Sequence, residues 1–423
     1  MFKKIVRSRL EKYVKKYFKH HHPKLVVVVG SVGKTVTKHT IVSALRSAGY
    51  TVRMAEENYN ADMSVPLALL GVEYPEDGVH SIKAWLEVFK KMKAKIKDDK
   101  EPDFIVQELG TDHPGEISHF GEYLEPDLAV VTAITPEHME YFHDMDTVAS
   151  EELDVANYSK DVLINADDTA PSYLQDGFYT YGLNPKLDYS FEILEKGMLK
   201  GYRGIFRSRE LGQIEAKVPV LSEPQLKSML AAAAVLAIFE ATEKQVAKSF
   251  AEFKAVPGRM QLLKGKNGTA LIDDTYNSSP AAAAAALKTL YEMVVPGRIA
   301  VLGSMNELGE TSAEEHKKLG ELCNPEKLDS VVTIGEEAKN YLAPAAKKAG
   351  CEVVSFLNPK RAGEYVAGHA SEGTAILFKG SQNGVFTEEA LKCMLEDETD
   401  AKKLVRQSKI WMNKKKELLN KNK

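Results

Sequence analysis

Leu25 to Val29 form an apolar run without alternation, set between Lys24 and Gly30. Such a run fits a parallel strand covered on both faces, and the spacing beyond it predicts a helix from Lys34 to about Ser47. Further buried strands are predicted at Thr51–Ala55, Asp103–Glu108, Leu128–Thr132 and Val162–Asn165, with helical stretches between several of them. This alternation predicts a doubly wound α/β domain. Between 176 and 220 the rhythm changes. Short alternating runs with Gly182, Gly197, Gly201 and Gly204 predict a small antiparallel excursion, and the alanine-rich stretch Gln225–Ala241 restores a helix.

The segment Val256–Met260, "VPGRM", reads as a domain joint, because Pro and Gly break the helix before it. Beyond it, strands are predicted at Ala270–Asp273, Ile299–Leu302, Ser330–Ile334 and Ala375–Phe378. A helix should begin at Pro280, where proline's missing N–H goes unmissed, and run through six alanines. The fold class expected is therefore α/β: a P-loop domain with a central, mostly parallel sheet (24–255), then a Rossmann-like C-terminal domain (256–400). A basic helix (1–23) and a basic tail (401–423) flank them.

In the first segment Phe2, Val6, Leu10, Tyr13, Val14, Tyr17 and Phe18 recur at helical spacing among lysines and arginines. Residues 1–24 carry nine Lys/Arg against Glu11 alone, and residues 401–423 carry nine against Glu417 alone. Of 56 basic and 60 acidic residues, 38 and 58 are left in the body between, a net −20. A basic amphipathic helix either packs on its own protein or lies on an anionic membrane surface. The first reading leads, and the acidic body disfavours nucleic acid. Residues 20–22, three histidines before Pro23, read as a solvated hinge.

With 44% hydrophobic and 27% charged residues, the 423-residue chain is long enough for two or three domains with ordinary cores. No apolar run approaches the roughly 20 residues of a membrane span, and the N-terminus lacks a secretory pattern, so a cytoplasmic location is expected. Cys323, Cys351 and Cys393 are odd in number and far apart, which suggests neither a disulfide framework nor a zinc cluster.

"KLVVVVGSVGKTVTK", Lys24–Lys38, joins a strand to a helix through Gly30, Ser31 and Gly33. Backbone N–H groups at such a turn face an anion, and the helix dipole adds attraction. Lys34 is placed to reach β- and γ-phosphates and Thr35 to bind magnesium, although Val28 stands where the usual pattern has its first glycine. A guanine-reading Asn-Lys-x-Asp motif is missing. "IVQELG" ends a buried strand at Glu108, where a carboxylate can hold a metal near the loop.

Nine segments in order, "GSVGKTVTK", "NYNADMSVPLALLG", "ELGTDHPGEI", "TAITPEHMEYF", "LINADD", "GRMQLL", "DDTYNSSP", "IAVLGSMNELGE" and "FKGSQNG", closely resemble the Mur ligases, and among them the MurF type. The similarity spans about residues 24–395. It implies an ATP- and magnesium-dependent ligase that joins D-alanyl-D-alanine to a muramoyl-tripeptide in peptidoglycan precursor synthesis. ATP would phosphorylate the acceptor carboxylate, and an amine would displace phosphate to form an amide.

Carried over by position, the resemblance gives Lys34 and Thr35 to the phosphates and first metal, Glu108 to the metals and His138 to a second magnesium. Arg259 would reach the γ-phosphate, Asp274 would hold the ribose, and Tyr276 and Asn277 would lie by the nucleotide. Asn58, Tyr59 and Asn60 resemble the segment that touches the peptidyl acceptor. Lys379, Gly380 and Ser381 resemble the loop near the incoming amine. A monomer is expected, with membrane contact through the basic termini as a further expectation.

Some positions depart from the family. Fourteen residues after His138, where Mur ligases carry a carbamylated lysine, stands Glu152; it, or its neighbour Glu151, could supply the same charge permanently. Pro224, Gln225 and Ser228 replace the usual adenine-side residues, so Gln225 is the candidate substitute. "KGSQ" has Gln382 in place of arginine. Only the basic helix precedes the phosphate loop, where MurF enzymes carry a uridine-nucleotide domain. That implies either a less extensive hold on uridine diphosphate or a different acceptor, lipid-linked or polyglutamate-like. A catalytically silent nucleotide-binding scaffold is the remaining alternative.

Overall fold

The computed structural model describes residues 2–55, 59–75, 81–137 and 139–421. Asn58 and His138 lie outside them. The chain divides into two compact units, the first ending at Phe253 and the second running from Lys254 onward with the short segment Gly197–Gly201.

The first unit is built on strands β1 (Lys24–Val29), β2 (Val52–Arg53), β3 (Phe104–Glu108), β4 (Leu128–Val131), β5 (Asp161–Asn165), β6 (Tyr179–Gly182), β7 (Tyr189–Lys196), β8 (Tyr202–Ser208) and β9 (Gly212–Val218). They form one sheet in the order β2-β3-β1-β4-β5-β6-β7-β8-β9. Pairing is parallel from β2 to β7 and antiparallel from β7 to β9, so the excursion foreseen for 176–220 extends the main sheet and begins later than expected. Leu25–Val29 are wholly inside, as a central parallel strand requires. The strand foreseen at Thr51–Ala55 shrinks to two residues at the sheet edge. There Arg53 turns away to donate to Tyr17 Oη (3.1 Å) and Leu69 O (2.9 Å).

Helices α1 (Phe2–His20), α2 (Lys34–Ser47), α3 (Val65–Leu70) and α4 (Ile82–Ile96) lie in this unit. The apolar stripe of α1 is consumed by the protein: Val6, Leu10, Tyr13, Val14 and Tyr17 are buried in the same core as residues of α3 and α4. Each such side chain is worth roughly 1.5–3 kcal/mol of burial, so peeling α1 onto a membrane would cost on the order of 10 kcal/mol. Packing on the protein is thus the outcome for that stripe. His21 is buried rather than solvated, with Nε2 3.0 Å from Ile96 O and Nδ1 3.3 Å from Glu101.

The second unit contains β10 (Gln261–Lys264), β11 (Ala270–Asp274), β12 (Arg298–Gly303), β13 (Ser330–Ile334), β14 (Val353–Phe356) and β15 (Ala375–Lys379), in the order β10-β11-β15-β12-β13-β14. All pairs are parallel except β10 with β11. The helix expected at Pro280 spans Pro280–Glu292. The basic C-terminal segment is no loose tail. Arg406 inserts beneath the loop after β11, and Lys409–Lys421 is helical with Lys415 buried. Among the described residues no helix is long and apolar enough to cross a membrane.

Candidate active site

In the first unit the chemistry gathers where β1, β3 and β4 end side by side, with Val28 in register with both Glu108 and Val130. Carboxyl ends of parallel strands are where α/β sheets bind ligands. Gly30 sits at φ +121°, and a Cβ there would lie 2.4 Å from Thr132 Oγ1 and 2.9 Å from the Ala133 backbone. Ser31 N–H donates to Ala133 O (2.9 Å), and Thr132 Oγ1 donates to Val32 O (2.7 Å). Together they clamp the loop against the segment after β4. Gly33 caps α2 at φ +87° without a side-chain hydrogen bond, which leaves the helix N-terminus to an incoming anion.

Gly30→Ala is expected to weaken nucleotide binding at least tenfold by calorimetry and to cost about 2 kcal/mol or more through backbone strain and the clash. Gly49→Ala isolates the strain alone, since Gly49 has φ +101° and no neighbouring atom within 4 Å.

Thr35 Oγ1 donates to Glu108 Oε1 (3.3 Å), and Asn60 Nδ2 donates to the same oxygen (3.3 Å). Glu108 Oε2 is enclosed without a hydrogen-bond partner, and Lys38 Nζ lies 3.7 Å from it. Burial lowers the Lys38 ammonium below its usual range, against the pull of Glu108. Sequence reasoning passed over Lys38, although its spacing of four from Lys34 puts both on one face of α2. Among the described residues no three His, Cys, Asp or Glu side chains close on one metal position. Magnesium asks less of a protein: one or two side-chain oxygens, with phosphates and water completing the octahedron. The Thr35 hydroxyl and the orphaned Glu108 oxygen fit that demand.

Lys34 Nζ donates to Gly30 O and lies 3.5 Å from Ser31 O, 3.7 Å from Glu137 and 3.9 Å from Glu152. Glu152 is 1% exposed and accepts from Gly30 N–H (2.7 Å). Burial pushes its carboxyl up to about 8, with Lys34 opposing and Glu137 adding to the rise. In the free protein this group therefore favours its proton over the permanent charge foreseen for it. Glu151 is committed elsewhere: it accepts from Gly115 N–H (2.6 Å), Ile117 N–H (2.7 Å) and Thr111 Oγ1 (3.0 Å), fastening the "GTDHPGEI" loop. Tyr59 is likewise engaged, accepting from Tyr74 N–H at its hydroxyl (2.9 Å) and from Gln107 at its carbonyl (2.6 Å). The Gln225 carbonyl accepts from Leu221 N–H (2.8 Å) at the start of the Glu223–Ile238 helix, a local fastening role.

In the second unit the sequence candidates also converge at strand ends. Asp274 ends β11 and Lys379 ends β15. Lys379 is buried and donates to Asp274 Oδ2 (2.6 Å) and Asn277 O (3.1 Å), so it fixes these two groups rather than standing open to a substrate. The Arg259 guanidinium lies 4.1 Å from the centre of the Tyr276 ring. Met260 N–H donates to Asp274 Oδ1 (3.2 Å). Burial pushes the neighbouring Asp273 up to about 6, against hydrogen bonds from Thr275. Ser381 Oγ accepts from Asn306 N–H (2.9 Å) and donates to Ser278 O (3.3 Å), joining the "KGS" and "GSMNE" loops.

Arg406 is the residue that sequence reasoning missed here. It donates to Glu388 through Nε (2.8 Å) and Nη2 (2.6 Å), to Tyr276 O through Nη1 (2.8 Å) and to Thr275 O through Nη2 (2.5 Å). Lys415 completes the group at 2.9 Å from Glu388 and 2.8 Å from Glu389.

A phosphate loop on one parallel sheet and a second, Rossmann-like unit with polar side chains at its strand ends define a two-unit nucleotide-dependent ligase architecture. The Mur ligase middle domain matches residues 28–236 and the Mur ligase glutamate ligase domain matches residues 258–382; the chain belongs to the Mur ligase family of ATP-dependent amide-forming ligases. It is 28% identical over 403 residues to the UDP-N-acetylmuramoyl-tripeptide–D-alanyl-D-alanine ligase of Bacillus subtilis, covering 92% of this chain and 79% of that one. Among solved structures it resembles MurF from Acinetobacter baumannii, with a TM-score of 0.73 at 21% identity over 91% of this chain and 79% of that one. It also resembles the ADP complex of the Thermotoga maritima MurF ligase, with a TM-score of 0.68 at 22% identity over 98% and 84%. These likenesses concern the fold.

Proposed function

We propose that the chain is a MurF-type ligase that joins D-alanyl-D-alanine to a muramoyl-tripeptide at the expense of ATP. One contact carries the reading furthest: Glu108 Oε1 accepts both from Thr35 of the phosphate loop and from Asn60 of the MurF-like acceptor segment. A single carboxylate thus ties the nucleotide side to the acceptor side.

An oxygen of the acceptor carboxylate attacks the γ-phosphorus, ADP leaves, and an acyl phosphate remains. The dipeptide's amine nitrogen then attacks the acyl carbon; phosphate departs, the amine loses its proton, and an amide is formed. Two anions must meet in the first step, so positive charge at fixed positions dominates the barrier. Lys34 supplies it at the β- and γ-phosphates. Thr35 and Glu108 would hold magnesium, with His138 carried over by resemblance, and the ion supplies further charge neutralisation. Asn58 and Asn60 contact the acceptor. Asp274 takes the ribose, fixed by Lys379, while Arg259, Tyr276 and Asn277 attend the nucleotide. Ser381 orders the loop that receives the amine.

Glu152→Gln keeps an acceptor for Gly30 N–H but removes the carboxylate. Its expected effect is a several-fold higher magnesium requirement in steady-state assays; an unchanged requirement would leave Glu152 as a brace of the loop and nothing more.

The function is tested by phosphate release from ATP and magnesium with UDP-muramoyl-tripeptide and D-alanyl-D-alanine, added singly and together, and by the mass of the product. Release that needs both substrates, with a product heavier by the dipeptide less water, is the expected result. ATP binding without turnover on this pair would overturn the assigned substrates.

A further inference from the structure

The outward faces of α1 and α4 take no part in this chemistry, yet they form one continuous feature. The helices run side by side in parallel: the Arg9 guanidinium lies 4.7 Å from the Phe89 ring centre, the Tyr13 ring 5.9 Å from it, and His21 reaches Ile96 further on. Along this seam α1 presents Ile5, Arg9, Lys12 and Lys16, and α4 presents Ile82, Leu86 and Lys93 on either side of the buried Phe89. Spacings of four, three and four on α1, and of four and seven on α4, keep each set on one face of its helix. Ile5, Ile82 and Leu86 are 60%, 66% and 57% exposed and fall at the N-terminal end of the parallel pair. Arg9, Lys12, Lys16 and Lys93 are exposed and follow them, with Lys90 alongside. The one acid of α1, Glu11, is turned inward to His119 (2.9 Å) and Arg7 (3.5 Å).

We propose that this ridge docks the folded protein on an anionic phospholipid leaflet, with Ile5, Ile82 and Leu86 entering the headgroup boundary and the basic belt among the lipid phosphates. Two observations select this partner. Exposed branched aliphatics beside a basic belt match a surface that is anionic outside and apolar beneath, whereas a nucleic-acid backbone offers the aliphatics nothing. The charge is also polarised: the body between the two basic termini is at −20, so an anionic surface attracts the ridge and repels most of the rest. Docking needs no unfolding, because the stripe of α1 that faces the core stays there. Arg7, on the inner side of α1, donates to Asp62 (3.2 Å), two residues beyond Asn60. On the ligase reading, this puts the acceptor segment immediately behind the docked ridge, as suits an acceptor met at the leaflet.

The test uses the full chain, sedimented with vesicles of phosphatidylcholine alone or mixed with phosphatidylglycerol. Binding to the mixed vesicles only, reversed by salt, is expected. A lysine near such a surface is worth about fivefold in binding, so Lys12→Glu with Lys16→Glu should reduce binding by tenfold or more. Ile5→Gln with Leu86→Gln, which leaves the charge intact, should also reduce it several-fold. An environment-sensitive dye on L86C should brighten with mixed vesicles, while the same dye on V294C, an exposed site in the second unit, should not. Failure to bind mixed vesicles, binding indifferent to both variant pairs, or equally tight binding to duplex DNA would each overturn the proposal. Because vesicle binding is read without turnover, its failure is separate from failure of the ligase assay.

Discussion

Lys34→Met is expected to lower the ligation rate by about a thousandfold or more, in the range found when a charged group aimed at a transferring phosphoryl is removed. The ammonium is the one cation within 4 Å of Glu137 and Glu152 among the described contacts of the loop, and the reading above gives it the β- and γ-phosphates. The fold should survive the change. Glu152 already favours its protonated form through burial, so the stability cost of losing the neighbouring cation falls mainly on Glu137, 3.7 Å from it. Rates measured beside thermal unfolding separate the two effects. A variant that ligates within tenfold of the parent would remove Lys34 from the chemistry.

The largest loss of stability is expected from Arg406→Ala. Glu388 is wholly buried and receives two hydrogen bonds from the Arg406 guanidinium, which also serves the carbonyls of Thr275 and Tyr276. Breaking a buried pair by deleting one partner costs about 3–5 kcal/mol when the remaining charge is left unpaired; Lys415 still faces Glu388 at 2.9 Å, so the loss is expected at the lower end, about 3 kcal/mol. For a unit of this size that lowers the unfolding midpoint by roughly 10 °C. Arg406→Lys retains charge but not the fork and should recover only part of the loss. The same variants should weaken nucleotide binding, since the backbone of Thr275 and Tyr276 loses the guanidinium that holds it. Calorimetry of unfolding and of ATP binding reads both, and an unfolding midpoint within a degree or two of the parent would refute the assignment.

The sequence carried the central strands because burial on both faces leaves a mark that needs no context. Val26–Val29, Phe104–Val106 and Ala375–Phe378 are apolar at every position. Edge strands leave a weaker mark. β2 is two residues long, β10 carries Gln261 and Lys264, and β14 is only partly buried, so pattern alone either overextended or missed them. Much of the site was legible as motif, because a glycine turn between a strand and a helix constrains its own backbone. The partners were less so. That Lys379 would be spent on Asp274, or Glu151 on the backbone of Gly115 and Ile117, depends on which strand ends meet, and neither residue's neighbours in sequence reveal it. Arg406 is the extreme case. A basic run is most often solvated, and its acidic partner lies 18 residues away with no periodicity to connect them.

The strand order of the first unit bears on synthesis. β1 and its phosphate loop leave the ribosome before the strands that flank β1, which begin only at Phe104 and Leu128, and the carboxyl that accepts from Gly30 is at residue 152. Pairings so distant in sequence form slowly, since long loops must close before any contact compensates them. The nascent chain therefore carries the unpaired apolar run Leu25–Val29 for more than seventy residues of elongation. In that interval chaperone capture would find its natural target, and ATP could not yet be held.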